Sequence, residues 1–237
     1  MRIGIFTDLH ANLPALNKAL AVFDEFECEK IVHVGDLIGI GPHPKETLEC
    51  ALSIPHMEFV MGNHDYWYAH GLPDPLPDYM HPDEAAHQKW VHAQIGKGFH
   101  EAVQQWPFAL TLDASNGQRL TFVHYALNDQ ANWFRSFVKN PNGTEIENLF
   151  RETKGDIIFY GHDHRPFDYQ GNKRYLNLGS AGCFNQPKVR LAVVDCNQDA
   201  VKIRKLEIEY DDEGLMEEFD RRNVPAKAFI RKTFITR

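Results

Sequence analysis

Eight short stretches of the chain are apolar runs of strand length, at residues 3–6, 31–34, 59–61, 120–123, 157–160, 175–178, 191–194 and 201–208. Runs without polar alternation predict strands covered on both faces. Helical spacing intervenes between the early runs, over 14–26 with Asn12 as its cap and over 44–52 with Pro44 suited to a first turn. Strand and helix therefore alternate, which predicts an α/β fold. After Asp65 the rhythm changes to a turn-rich loop, Pro73-Asp74-Pro75-Leu76-Pro77, and then to helical patterns over 82–95 and 99–106. We read this as a small helical cap inserted at about 66–107 into one domain that occupies 1–237. Thr144-Glu145-Ile146-Glu147 has capping-box spacing and predicts another helix before the strand at 157. The later strands follow one another with few helices between them, so a second sheet is expected to pack on the first.

Composition changes this picture little. With 43% hydrophobic and 24% charged residues the chain resembles an ordinary globular protein, and no apolar run approaches the ~20 residues that span a bilayer. The first strand pattern starts at the N-terminus, without the apolar core and cleavage site of a secretory signal, so a cytoplasmic location is expected. Cys28, Cys50, Cys183 and Cys196 form no CxxC pair and read as buried free thiols. A net charge of -8 argues against a general nucleic-acid or anionic-membrane binder, since both need basic surfaces. A small phosphate ester stays compatible, because bound metal can reverse the local sign. The acidic and then basic run from Glu207 to Arg237 reads as a solvated helix and packed tail rather than a docking segment. A homo-oligomer is neither required nor excluded.

The chemistry gathers where five of the apolar runs end. They lead into Asp8-Leu9-His10, Gly35-Asp36, Gly62-Asn63-His64-Asp65, His124 and Gly161-His162-Asp163-His164. Open α/β sheets build their sites at the carboxyl ends of strands, so these five segments can converge on one metal cluster. Glycine precedes three of the groups, where the chain must leave a strand abruptly; only glycine takes positive φ without steric cost. Each tripeptide is weak evidence alone, and the ordered set behind buried strands is specific. Carboxylate, amide and imidazole donors together suit Mn, Fe or Zn, with Mg and Ni also compatible, better than an all-oxygen cage does.

This ordered set resembles the calcineurin-like metallophosphoesterases over roughly residues 1–195. Within them it is most similar to a small bacterial and archaeal phosphodiesterase-like branch, on Asp8-Leu-His-Ala-Asn12-Leu-Pro-Ala, Gly39-Ile-Gly41-Pro42 and Asn177-Leu-Gly179-Ser180. The resemblance implies a four-layer αββα sandwich of two mixed sheets flanked by helices, and two divalent metal ions. It also implies that Asp8, His10 and His164 hold one ion, that Asn63, His124 and His162 hold the other, and that Asp36 bridges them. The implied reaction is hydrolysis of a phosphodiester or nucleotide-type ester by a metal-bridging hydroxide. His64 would serve as the catalytic donor beside the leaving group, and Asp65 would either orient His64 or cap its turn. The alternatives are a phosphomonoesterase and a catalytically weak metal-binding module; the intact ligand set favours an enzyme.

Three departures from the family pattern narrow the expectation. Tyr125 stands where a glycine is common, Asp163 replaces a small hydroxyl residue, and no arginine follows Asp36 or Asp65 closely, which argues against a protein phosphatase. Tyr66, Tyr125 and Arg165 are the expected substrate contacts, with Arg135, Lys139, Lys188 and Arg190 as further phosphate-binding candidates. His33 reads as a core residue, and His43 and His56 as surface or turn residues. The cap histidines and Trp67, Trp90 and Trp106 read as solvated faces and packing.

Overall fold

Side chains alternate across the first strand, β1 (Arg2–Phe6), and that alternation sets up the layers. Ile3 and Ile5 point into one apolar core, while Phe6 points into another together with Phe23 of the first helix, α1 (Leu13–Glu25). Gly4 shares the outward face, where a Cβ would lie 2.5 Å from the Phe23 ring, so glycine is what lets α1 pack this close. The computed structural model describes residues 1–78 and 80–235.

The first sheet adds β2 (Lys30–His33), β3 (Met57–Phe59), β9 (Lys188–Cys196) and β10 (Val201–Glu209), in the order β10-β9-β1-β2-β3. Here β1, β2 and β3 run parallel, while β9 and β10 are antiparallel. The second sheet comprises β4 (Ala109–Asp113), β5 (Arg119–Val123), β6 (Ile157–Tyr160), β7 (Pro166–Gln170) and β8 (Arg174–Leu178), in the order β4-β5-β6-β8-β7. In it β5, β6 and β8 are parallel. Ile3, Ile5, Val32 and Val194 meet Phe122, Phe159 and Leu176 between the sheets. One outer face is covered by α1 and α2 (Pro44–Leu52), the other by α6 (Gly143–Leu149). The architecture is thus four layers, α on β on β on α, with both sheets mixed. The inner strands are buried on both faces, which accounts for their continuous apolar runs.

From residue 63 to residue 107 the chain forms α3 (Asn63–His70), α4 (Pro82–Ile95) and α5 (His100–Gln104). Their Tyr68, Val91, Ile95 and Val103 join the same core as α1 and α2. α7 (Leu215–Arg221) and α8 (Lys227–Phe234) fold back so that Phe219 and Ile230 pack with Ile40 and Cys183. The charged C-terminal segment therefore lies on the body up to residue 235; its last two residues fall outside those described. Among the described residues no helix is long and apolar enough to cross a membrane.

Several expectations are corrected. β4 and β7 escaped notice because both are edge strands with alternating half-exposed side chains, and only the period-two signal of Leu110 and Leu112 or Phe167 and Tyr169 marks them. β10 is likewise an edge strand with alternate exposure, not one buried on both faces. α3 is a helix that no expectation covers, because Gly62 offers no capping side chain and the Tyr66-Trp67-Tyr68 run has no clean helical period. The cap of α6 is Asn142, whose Oδ1 accepts from Glu145 N at 3.0 Å while Glu145 Oε2 accepts from Asn142 N, so the box begins two residues before Thr144. His43 is buried, not superficial, and its Nε2 lies 3.5 Å from Glu218 Oε2.

His33 is fully buried with both ring nitrogens unpartnered, and burial pushes its imidazole down to about 3. The unfolded chain protonates this ring below about 6.5 while the native state does not. The contribution is therefore complete above pH ~6.5 and is lost as pH falls toward 3, on the order of 3–5 kcal/mol over the full span. His33→Leu is expected to flatten the acid limb of stability measured by urea titration at a series of pH values. An unchanged limb would reject this account.

Candidate metal centre

The carboxyl ends of β1, β2 and β3 in one sheet and of β5, β6 and β8 in the other open at the same edge, and the polar segments that follow them meet there. The backbone is unusual at this edge. Asp8, His10, Asp36, His162 and His164 all have φ between 51 and 69°, in the left-handed region that non-glycine residues seldom occupy. Such conformations cost of order 1–3 kcal/mol each and persist where the surroundings over-determine them. Here the bracing is visible: Asp8 N donates to Gly35 O, His10 N to Asp36 O, and His162 N to the Asp8 carboxylate at 3.0 Å.

The glycines do not all serve the purpose expected of them. Gly35 does take positive φ, at 86°, but Gly62 is extended with φ -92°. At Gly62 a Cβ would collide with Asp36, and at Gly161 with Thr7 and Asp8, so these two allow close approach instead. Gly39 leaves room for the His64 ring and Gly41 for the carbonyl of His10, which gives the Gly39-Ile40-Gly41 segment its physical reason. Asn177 and Ser180 act as ties: Asn177 Nδ2 donates to Gly161 O at 2.9 Å, and Ser180 Oγ donates to Asp8 O at 2.6 Å.

All seven expected ligands come together, in two groups. In the first, His10 Nε2 lies 2.8 Å from His164 Nε2, and His164 Nε2 lies 3.5 Å from Asp8 Oδ1. In the second, His162 Nδ1 lies 3.0 Å from Asn63 Oδ1 and 3.3 Å from His124 Nε2. Asp36 stands between them. Its Oδ2 is 3.2 Å from His124 Nε2 and 3.9 Å from His10 Nε2, while its Oδ1 accepts from His64 N at 2.9 Å. His124 Nδ1 donates to Val34 O at 3.0 Å, which directs Nε2 inward, where a metal would take the place of its proton. Apart from the Asn63 amide nitrogen, the converging atoms are carboxylate or carbonyl oxygens and ring nitrogens. A donor set so rich in acceptors and so buried fits divalent cations. Burial opposes charge throughout the cluster, yet Asp36 and Asp8 lift the His124 imidazole to about 9, while burial and His124 press His162 down to about 4. Cys183, expected only as a buried thiol, offers its sulfur within 4.8 Å of the His10 and His164 ligand atoms; burial keeps that thiol protonated.

The residues expected beside the metals divide more sharply. His64 occupies the first turn of α3, with Nε2 4.0 Å from Asp36 Oδ2. Asp65 does not touch the His64 ring. Its carboxylate accepts from the backbone N–H groups of Gly62, Asp36, Leu37 and Ile38, so it caps the turn. The hydrogen-bond partner of the His64 ring is Gln88 of α4, at 2.6 Å, a residue that no sequence signal singles out. Tyr125 is buried, and its hydroxyl accepts from Val138 N at 2.9 Å; Tyr66 packs on Trp133 and His70. Neither lines the cleft over the metal groups, whereas Arg165 does.

Residues 1–199 match the calcineurin-like phosphoesterase superfamily domain. The chain belongs to that superfamily. An uncharacterized protein of Methanocaldococcus jannaschii is 27% identical to it across 94% of this chain and 93% of its own length. Among solved structures, a hypothetical protein of Pyrococcus horikoshii aligns with a TM-score of 0.78 at 19% identity, over 99% of this chain and 98% of its own. A metallophosphoesterase of Sphaerobacter thermophilus aligns at 0.72 and 20% identity, over 97% and 96%. These likenesses share the fold of two facing sheets.

The cleft of this calcineurin-like protein has a volume of about 1080 Å³. Besides the metal groups it is walled by Trp133, Phe134 and Phe137 from one loop and by Phe184 and Phe234 from the other side. The 133–137 loop went unnoticed because it has no periodicity, and its only signal is aromatic density in an otherwise polar stretch. Arg135, Arg165 and Arg190 line the cleft; Lys139 and Lys188 do not. Each of these arginines already has a carboxylate partner, respectively Asp129, Asp163 and Glu207.

Proposed function

We propose that this metal-dependent phosphoesterase hydrolyses phosphodiesters, including nucleotide-derived ones, at a centre of two divalent ions drawn from Mn, Fe and Zn. The observation that carries the diester reading is the pairing of all three cleft arginines with carboxylates. A phosphomonoester is largely a dianion at neutral pH, and its second charge is met best by unpaired cations. A diester carries one negative charge and two organic substituents, which suits a cleft with neutralised arginines and aromatic walls. When bound, the ions would supply an activated water nucleophile and Lewis-acid stabilisation of the ester oxygens. Asp8, His10 and His164 would hold one ion, Asn63, His124 and His162 the other, and Asp36 Oδ2 would reach both. His64 Nε2, beside Asp36 and facing the cleft, would donate a hydrogen bond or proton to the departing oxygen. Asp65 fixes the turn that sets Asp36 and His64 at this spacing, and Arg165 would meet the ester at the rim. Four free cysteines agree with a reducing cytoplasmic setting.

The test is turnover of bis-p-nitrophenyl phosphate beside p-nitrophenyl phosphate by protein stripped with chelator and reloaded with Mn. Diester turnover should exceed monoester turnover by about 10-fold or more, the effect of roughly one misplaced charge. A monoester preference would reverse the reading. Absence of turnover on either ester by metal-loaded protein would favour a binding module.

A further inference from the structure

The His64 ring is held from several sides. Its edge contacts are His10 and Trp67, with ring centroids 5.1 and 5.2 Å away, and Gly39 leaves space beside Nδ1. The polar anchor is Gln88 Nε2, 2.6 Å from His64 Nδ1. Asp65, adjacent in sequence and the obvious orienting carboxylate, is occupied by four backbone donors instead.

Gln88 is out of place by ordinary packing rules. It is fully buried, on the inward stripe of α4 with Ala85, Val91 and Ile95, where an aliphatic side chain would pack without polar cost. Its Oε1 is buried with no hydrogen-bond partner, a condition that costs about 1–3 kcal/mol. The amide is therefore kept at the expense of stability, and the one bond it makes is to His64. The contact is to Nδ1, so it fixes that edge of the ring against α4 and leaves Nε2 on the opposite edge. Nε2 is the nitrogen that faces Asp36 and the cleft.

We infer that Gln88 is the positioning residue for His64: the amide holds Nδ1 so that Nε2 is turned toward the leaving group, and it couples α4 to the chemistry. This rests on the reading of His64 as leaving-group donor.

Gln88→Met keeps an unbranched side chain of similar volume and is expected to fold. With metal content unchanged, its turnover of a cyclic nucleotide, whose leaving group is a sugar alkoxide, should fall about 10-fold or more, a fraction of the ~100- to 10,000-fold that general-acid catalysis supplies. Turnover of bis-p-nitrophenyl phosphate should change less than about 3-fold, because nitrophenolate needs little assistance in leaving. In a His64→Ala background the same change should add nothing further. Equal losses on both esters, or losses that multiply with His64→Ala, would overturn the inference. A second readout does not depend on turnover. Nitrogen-15 spectra of the zinc-loaded protein should show the His64 Nδ1 resonance displaced by its hydrogen bond, and Gln88→Met should move it toward the free-ring position. A His64 Nδ1 resonance indifferent to the substitution would equally reject it. If the parent cleaves no ester, the phosphodiesterase reading fails by itself, and the spectra still decide what Gln88 does.

Discussion

An Asp36→Asn protein is expected to retain less than its full metal complement and to turn over phosphate esters at least about 100-fold more slowly than the parent, beyond the 10- to 100-fold typical of outer-shell partners. The reason lies in how the two carboxylate oxygens are used. Oδ1 accepts from His64 N, and Oδ2 faces His124 Nε2 at 3.2 Å and His10 Nε2 at 3.9 Å, one from each ligand group. Asparagine has a single oxygen. If that oxygen keeps the bond from His64 N, the amide hydrogens point at both metal positions; if the amide turns over, its N–H groups face the N–H of His64. Either arrangement removes the one charged atom within reach of both groups. The side chain is the same size, so the fold should survive. Metal analysis of protein purified without added metal, read beside turnover, checks this. Full occupancy with full activity would exclude a bridging role for Asp36.

His64→Ala should separate substrates rather than silence the protein. The seven ligand side chains remain, so metal content should not change. For a diester with an alkoxide leaving group, turnover is expected to fall by ~100- to 10,000-fold, the range assigned to a positioned general acid. For an activated nitrophenyl ester the loss should stay under about 10-fold, since that leaving group departs as a stable anion. Rates on a series of diesters graded by leaving-group pKa would show this as a steeper dependence in the variant. A parallel shift of the whole series would mean that His64 contributes to binding or to the metals and not to departure of the alcohol.

The acid limb tied to His33 and the behaviour of Asp65 illustrate where local sequence is a good guide and where it is not. His33 sits inside a run of buried strand residues, so its burial was legible, and its low pKa follows chiefly from that burial. Asp65 offered two roles of equal standing because adjacency to His64 says nothing about direction. On the first turn of α3, Asp65 points toward the N–H groups of Gly62 and of residues 36–38, while His64 points toward the cleft. A helix turns its neighbours about 100° apart, so residues one step from each other do not share a face. The turn that carries both residues therefore decides which of them faces the cleft.

Donor identity, donor order and the placement of each donor behind a buried strand were readable from the chain, because an apolar run and the polar residue that ends it are local features. The paired layers of the fold were readable for the same reason. The closing of those donors into two groups was not, since it depends on contacts such as His10 to His164, 154 residues apart, made when two separate sheets bring their strand ends to one edge. The cleft walls at 133–137 and on α8 and the amide of Gln88 against His64 likewise join segments with no common periodicity, whereas Arg135 and Arg165 take their carboxylates from within six residues. Short-range pattern records what each segment buries; which segments then face one another is settled by packing of the sheets and helices together.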